Sequence, residues 1–124
     1  MSKMNPEIKR LWVDDLRANP DLQGRKRLRT VAAEGNKFCC LGRLTELYRK
    51  ETGKGEWVNK GDFSSGTYFS AKGDPPEAWV LPNAVADWAA LDISPEIGDR
   101  SAVWLNDDGG YTFPEIADMI EEHL

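Results

Sequence analysis

Residues 38–47 read Phe38-Cys39-Cys40-Leu41-Gly42-Arg43-Leu44-Thr45-Glu46-Leu47, or FCCLGRLTEL. How this stretch is read decides the fold. Leu41, Leu44 and Tyr48 recur at helical spacing, with Leu47 at the edge of the same stripe. Gly53 follows as a stop signal. The spacing predicts a helix over residues 38–52. Gly42 lies inside it, where a helix can use a glycine for close packing. The cysteines suggest a rival reading as a reactive or metal-binding pair. Adjacent helical residues point about 100° apart, so Cys39 and Cys40 cannot share one face. Redox dithiols use a two-residue spacer, and structural zinc needs about four ligands. The chain has two cysteines and one histidine. Both cysteines are therefore expected to serve packing, with Cys40 beside Leu44 and Cys39 less constrained.

Outward from this stretch, three further helices are expected. Asn5 caps, Pro6 takes the first helical position, and Ile8, Leu11, Trp12 and Leu16 form one face over residues 6–18. Asn19-Pro20 ends that run. Pro82 opens a helix over 82–91 carrying Val85, Trp88 and Ala89. Thr112 and Glu115 have capping-box spacing, and Phe113, Ile116, Ala117 and Ile120 form the stripe of a helix over 113–123.

Between these runs the chain changes character. Trp57-Val58, Thr67-Tyr68-Phe69 and Ala78-Trp79-Val80 read as short strands, with Asp74-Pro75-Pro76 as punctuation. Ser101-Ala102-Val103-Trp104-Leu105 reads as another. The expected fold is a single α+β domain, residues 1–124, with about four helices and a small antiparallel sheet from strands in 57–80 and 101–105. An all-helical domain with irregular loops is the alternative. The expected core is Leu11, Trp12, Leu16, Phe38, Leu41, Leu44, Val85, Trp88, Trp104, Phe113, Ile116 and Ile120.

A chain of 124 residues, 40% hydrophobic and 30% charged, suits one globular domain. No apolar run reaches the length of a membrane span, and the first residues lack the apolar core of a secretory signal. A cytoplasmic location is the expectation. The net charge of −5 conceals an asymmetry: residues 1–50 hold 12 Lys and Arg against 6 Asp and Glu, and residues 51–124 hold 4 against 15. Four cations fall within Arg25-Lys26-Arg27-Leu28-Arg29, and Lys37 and Arg43 are expected to join them after folding. Arginine offers bidentate geometry to phosphate or carboxylate. These six residues are the candidate binding site. A solvated basic loop balancing the acidic half would carry the same sequence.

Catalytic chemistry is poorly represented. His123 sits in the last turn of its helix, where a cation suits the negative helix end. Asp14, Asp15, Asp107 and Asp108 are acid–base candidates picked out by no motif. The segment NDDGGYTF lacks the spaced ligands of a calcium loop and is explained by a turn feeding a capped helix. No phosphate loop, dinucleotide fingerprint or serine elbow occurs. No cofactor or metal is expected.

The stretches MNPEIKRLWVDDLRAN, GNKFCCLGRLTELYRKETG, LPNAVADWAAL and LNDDGGYTFPEIADMIEEHL, in this order, resemble a group of small, mostly uncharacterised proteins of tailed phages and prophages. The resemblance spans roughly the whole chain and implies a phage accessory protein in a bacterial host cell; it carries over no activity and no site residue. The expected function is non-enzymatic binding of a host or defence-related protein, or of a small anionic, phosphate-bearing ligand. The alternatives are a nucleic-acid-associated factor and a small hydrolase with a carboxylate site.

Overall fold

A computed structural model describes residues 4–25, 27–32, 35–58, 66–70 and 79–124. Helix α1 spans Pro6–Ala18. The Asn5 side chain accepts from the backbone of Glu7 at 3.0 Å and Ile8 at 3.3 Å, as its capping position predicts. A 3-10 turn at Pro20–Leu22 follows. Strands β1 (Arg29–Ala32) and β2 (Gly35–Phe38) form an antiparallel hairpin with Arg29 opposite Phe38. Helix α2 spans Cys40–Thr52 and ends on Gly53 in the left-handed region. Strands β3 (Glu56–Val58) and β4 (Gly66–Ser70) complete a four-stranded antiparallel sheet in the order β2-β1-β4-β3. Helix α3 spans Asn83–Ala89. The short strands β5 (Glu96–Ile97) and β6 (Arg100–Ser101) form a second hairpin that leads directly into α4 (Ala102–Asn106). Helix α5 spans Phe113–His123, and Thr112 and Glu115 make the expected capping box. The described residues thus form one α+β domain, as expected, with four helices of seven residues or more and the short α4 beside them.

Three expectations are corrected. Of residues 101–105 only Ser101 is strand, as the end of β6; residues 102–105 are helix. Ser101 Oγ accepts the Trp104 N–H at 3.1 Å and starts α4. A short run with Val and Trp looks strand-like by composition, but a cap at its first residue decides the local conformation. Phe38 does not open α2; it ends β2, and Cys39 stands at the helix cap in an extended conformation. Trp79 and Val80 are bends and not strand; Ala78 and the Asp74-Pro75-Pro76 segment lie outside the described residues.

The core gathers between α1, α2 and α5, with α1 packed most extensively on α5. Nine of the twelve expected core residues are buried; Leu11, Trp88 and Trp104 are only partly so and pack on its margin. Leu28, Leu81, Ile97 and Leu105 are buried as well, on segments without helical periodicity that would have marked them. The Trp12 indole donates to the Cys40 carbonyl at 2.9 Å, so the largest core side chain leaves no polar atom unpaired. Gly42 allows the residue that leads into β1 to approach α2. A Cβ there would lie 1.7 Å from the Leu28 carbonyl oxygen, a backbone atom that cannot swing aside.

Candidate functional site

Both cysteines are buried and free. Burial pushes the Cys39 thiol up to about 12 and the Cys40 thiol well above its ordinary value, so both are held as neutral thiols. Cys40 Sγ lies 3.7 Å from the Ala102 carbonyl oxygen, inside the packed start of α2. FCCLG is a packing segment.

Cys39 supplies no side-chain cap, so the first amides of α2 need acceptors from elsewhere. The Leu28 carbonyl accepts the Cys39 N–H at 3.3 Å, and Asn106 Oδ1, from the end of α4, accepts the Cys40 N–H at 3.2 Å. Asn106 is fully buried. It also accepts from Gln23 Nε2 at 3.0 Å and donates to the Gly24 carbonyl and to Asp107, both at 2.9 Å. Gln23 in turn donates to the Tyr111 carbonyl and accepts the Phe113 N–H at the start of α5. Two side-chain amides therefore fix the approach to β1 against three helices. No motif marks Gln23 or Asn106; the signal is only that two uncharged amides stand beside turns.

This knot fixes the basic segment, and the six expected cations separate. The Arg25 guanidinium donates to the Asn106 carbonyl at the end of α4. Lys37 Nζ donates to the Asp21 carbonyl at 2.6 Å. Arg43 is buried, makes paired bonds to Asp15 at 2.8 and 2.7 Å, and lies 4.7 Å over the Phe38 ring. Of these three only Arg43 is paired with a carboxylate; Arg25 and Lys37 donate to neutral carbonyls and keep their charge, Arg25 on the exposed surface. Lys26 lies outside the described residues. Arg29 lies 5.0 Å over the Trp57 ring, and burial pushes its guanidinium down from the ordinary value. Beside it, burial works against the charged Glu46, but hydrogen bonds from Arg49 and from the Trp57 indole hold its carboxyl below the usual range.

Arg27 differs. Its guanidinium lies 5.0 Å over the Trp79 ring. Its Nη1 is the only buried side-chain nitrogen or oxygen without a hydrogen-bond partner among the described residues. Trp79 itself is 50% exposed.

The acid–base candidates are not gathered into a site. Asp15 is bound to Arg43, Asp14 faces Arg10 at 3.7 Å on the surface, and Asp107 accepts from Asn106. Two surface clefts, of about 600 and 800 Å³, lie along α1 and α5 and beside the β5–β6 hairpin; neither is lined by these four aspartates or by the basic segment. Among the described residues no group of three His, Cys, Asp or Glu side chains is placed to hold a metal ion. Among them, too, no helix is long and apolar enough to cross a membrane.

A family model described as a domain of unknown function (DUF8296) matches residues 4–124. The chain belongs to this DUF8296 family. No curated protein and no solved structure matches the chain. The match covers every helix and strand described above in this DUF8296 chain, together with the basic segment and the amide knot that fixes it.

Proposed function

We propose that this protein is a non-enzymatic phage accessory protein that acts inside a bacterial host cell by binding a host protein or a small anionic ligand. The phage setting comes from the sequence resemblance. The anionic chemistry comes from one observation: a guanidinium nitrogen of Arg27 is covered without an acceptor, beside a half-exposed indole. A covered donor left without a partner costs about 1–3 kcal/mol, and a carboxylate or phosphate recovers that cost once a shift of the guanidinium uncovers the nitrogen. Of the other expected cations, Arg43 is neutralised by Asp15, while Arg25 and Lys37 each spend one donor on a backbone carbonyl and keep their charge for an anion.

The test is affinity capture from a bacterial extract that retains both proteins and small molecules. Titration of the captured partner with wild type and Arg27→Gln then follows at two ionic strengths. Binding that weakens with salt, and weakens on the order of tenfold in the variant, supports the reading. Equal affinity for the two proteins rejects this surface.

A further inference from the structure

We infer that the two clefts along α1 and α5 form one groove that docks a basic segment of a partner protein, its lysine or arginine side chains lying over Asp92, Glu96 and Glu122. The groove lies at the other end of α5 from the basic segment of this chain. Gln23 accepts the Phe113 N–H at the start of that helix, while Glu122 and His123 line the groove at its end. The surface goes beyond the reading above and does not depend on Arg27.

The walls of the groove are set by the backbone. The clefts, of about 600 and 800 Å³, share Lys9 and Glu122, so they meet across the seam of α1 and the last turns of α5. Ala90 ends α3 at a φ of 60°, and the Asn5 N–H donates to the Ala89 carbonyl at 3.0 Å, which ties the end of α3 to the start of α1. Gly98 turns β5 into β6 at a φ of 75°, and a Cβ there would lie 3.3 Å from His123 Nε2. The absence of that Cβ lets the hairpin close on α5. A groove formed in advance loses little freedom when it is filled.

The sign of the charge selects the occupant. In the smaller cleft Asp118 and Glu121 are each 2.7 Å from Arg17. In the larger one Asp92 and Glu96 have no cation partner among the described residues, and Glu122 has His123 at 3.8 Å. Three side-chain carboxylates there share the lining with one ammonium, that of Lys9. The Lys9 ammonium donates to the Glu121 carbonyl in the last turn of α5 at 3.2 Å. The chain thus already seats one alkylammonium at the negative end of this helix, and the excess of carboxylates beside it favours further cations.

Other occupants fit less well. A nucleic acid is repelled by the same carboxylates. Among the described residues no three acidic or ligating side chains are placed for a metal ion. Met4, Leu91 and Pro95 line the larger cleft beside the acids, which suits the aliphatic stems of lysine and arginine. The smaller cleft, with its acids already paired, offers a free polyamine little, whereas a peptide can lay an apolar side chain there over Pro6.

The experiment selects binders from a random 12-residue displayed peptide library with wild type at low salt. The selected peptides are titrated against wild type, Lys9→Gln, Arg27→Gln, and the groove pair Asp92→Asn with Glu96→Gln. A control pair, Glu51→Gln with Asp108→Asn, removes the same charge outside the groove. Each variant is checked for the wild-type near-UV circular dichroism. The expected peptides carry two or more Lys or Arg together with a large apolar residue, and they shift the backbone amide resonances of Leu91, Gly98 and Glu122. They bind the groove pair about fivefold more weakly, bind Lys9→Gln more tightly, and bind Arg27→Gln and the control pair within about twofold of wild type. Equal losses in the groove and control pairs would show an effect of net charge alone and overturn the groove. A library without basic enrichment, or amide shifts confined to other residues, would also overturn it and would leave the reading at Arg27 standing. Displacement of the peptides by spermidine at equal concentration would overturn the choice of a protein partner. Should the groove pair misfold, Lys9→Gln decides alone, and a variant that binds no more tightly than wild type would overturn the proposal.

Discussion

Arg43 and Arg27 begin from the same geometry and end in opposite roles. Each guanidinium lies over an aromatic ring, Phe38 at 4.7 Å and Trp79 at 5.0 Å. Arg43 has Asp15 across the seam between α1 and α2, which takes its Nε and Nη2 donors in a paired contact with little exposed surface. Arg27 has a covered nitrogen with no acceptor, and its ring is half in solvent. The stack over a ring therefore does not distinguish a structural arginine from a binding one. The carboxylate does: where the chain provides it, the arginine locks the fold, and where the chain does not, a partner can.

The comparison breaks most readily at Arg43. Arg43→Ala leaves Asp15 buried without its partner and should cost about 3–5 kcal/mol of stability, read from the urea midpoint. Replacing both partners with apolar residues, as in Asp15→Leu with Arg43→Met, should restore most of that loss, because the desolvation of both charges disappears with them. A single variant as stable as wild type would mean that the seam does not depend on this pair.

Asn106 is next. It accepts the Cys40 amide at the start of α2 and carries the Gly24 carbonyl of the basic segment. Asn106→Ala leaves several buried groups unpaired and should cost about 1–3 kcal/mol. It should also loosen residues 23–25, seen as faster amide exchange at Gly24 and Arg25. Unchanged exchange there would show that the knot does not hold the basic segment.

These sites also mark how far the sequence could be read. Helices α1 and α5 were legible because their signals are local: Asn5 and the Thr112–Glu115 box lie within three residues of the amides they serve. The end of α2 at Gly53 was legible for the same reason. The start of α2 was not, because its acceptor is Asn106, 66 residues away, and Phe38 belongs to a strand instead. Residues 101–105 misled because a run of four apolar residues behind Ser101 is too short to show a period. The site was legible only in composition. Six cations could be named, but Asp15 lies 28 residues from Arg43 and the Asn106 carbonyl 81 from Arg25, so which of them the fold would use was invisible.

A smaller effect sharpens the comparison at Glu46, which faces Arg49 and the Trp57 indole under the Arg29 stack. Its carboxyl lies below the ordinary value of 4.5, so it contributes stability above that value. The contribution is lost as the pH falls through the folded-state value. The urea midpoint of wild type should fall below pH 4.5, and that of Glu46→Gln should fall less steeply. Parallel curves would show that the carboxylate adds nothing to the sheet–helix contact.

The smallest expected effect on stability belongs to Arg27, and it tests the central claim most directly. Arg27→Gln is measured for its urea midpoint and for its affinity toward the captured partner, with wild type and Arg43→Ala beside it. The account predicts a stability within about 0.5 kcal/mol of wild type, together with a binding loss on the order of tenfold that shrinks as salt is added. Unchanged binding, or a stability loss as large as that of Arg43→Ala, would contradict it, for Arg27 would then be a second structural arginine and not the place where a partner supplies the missing acceptor.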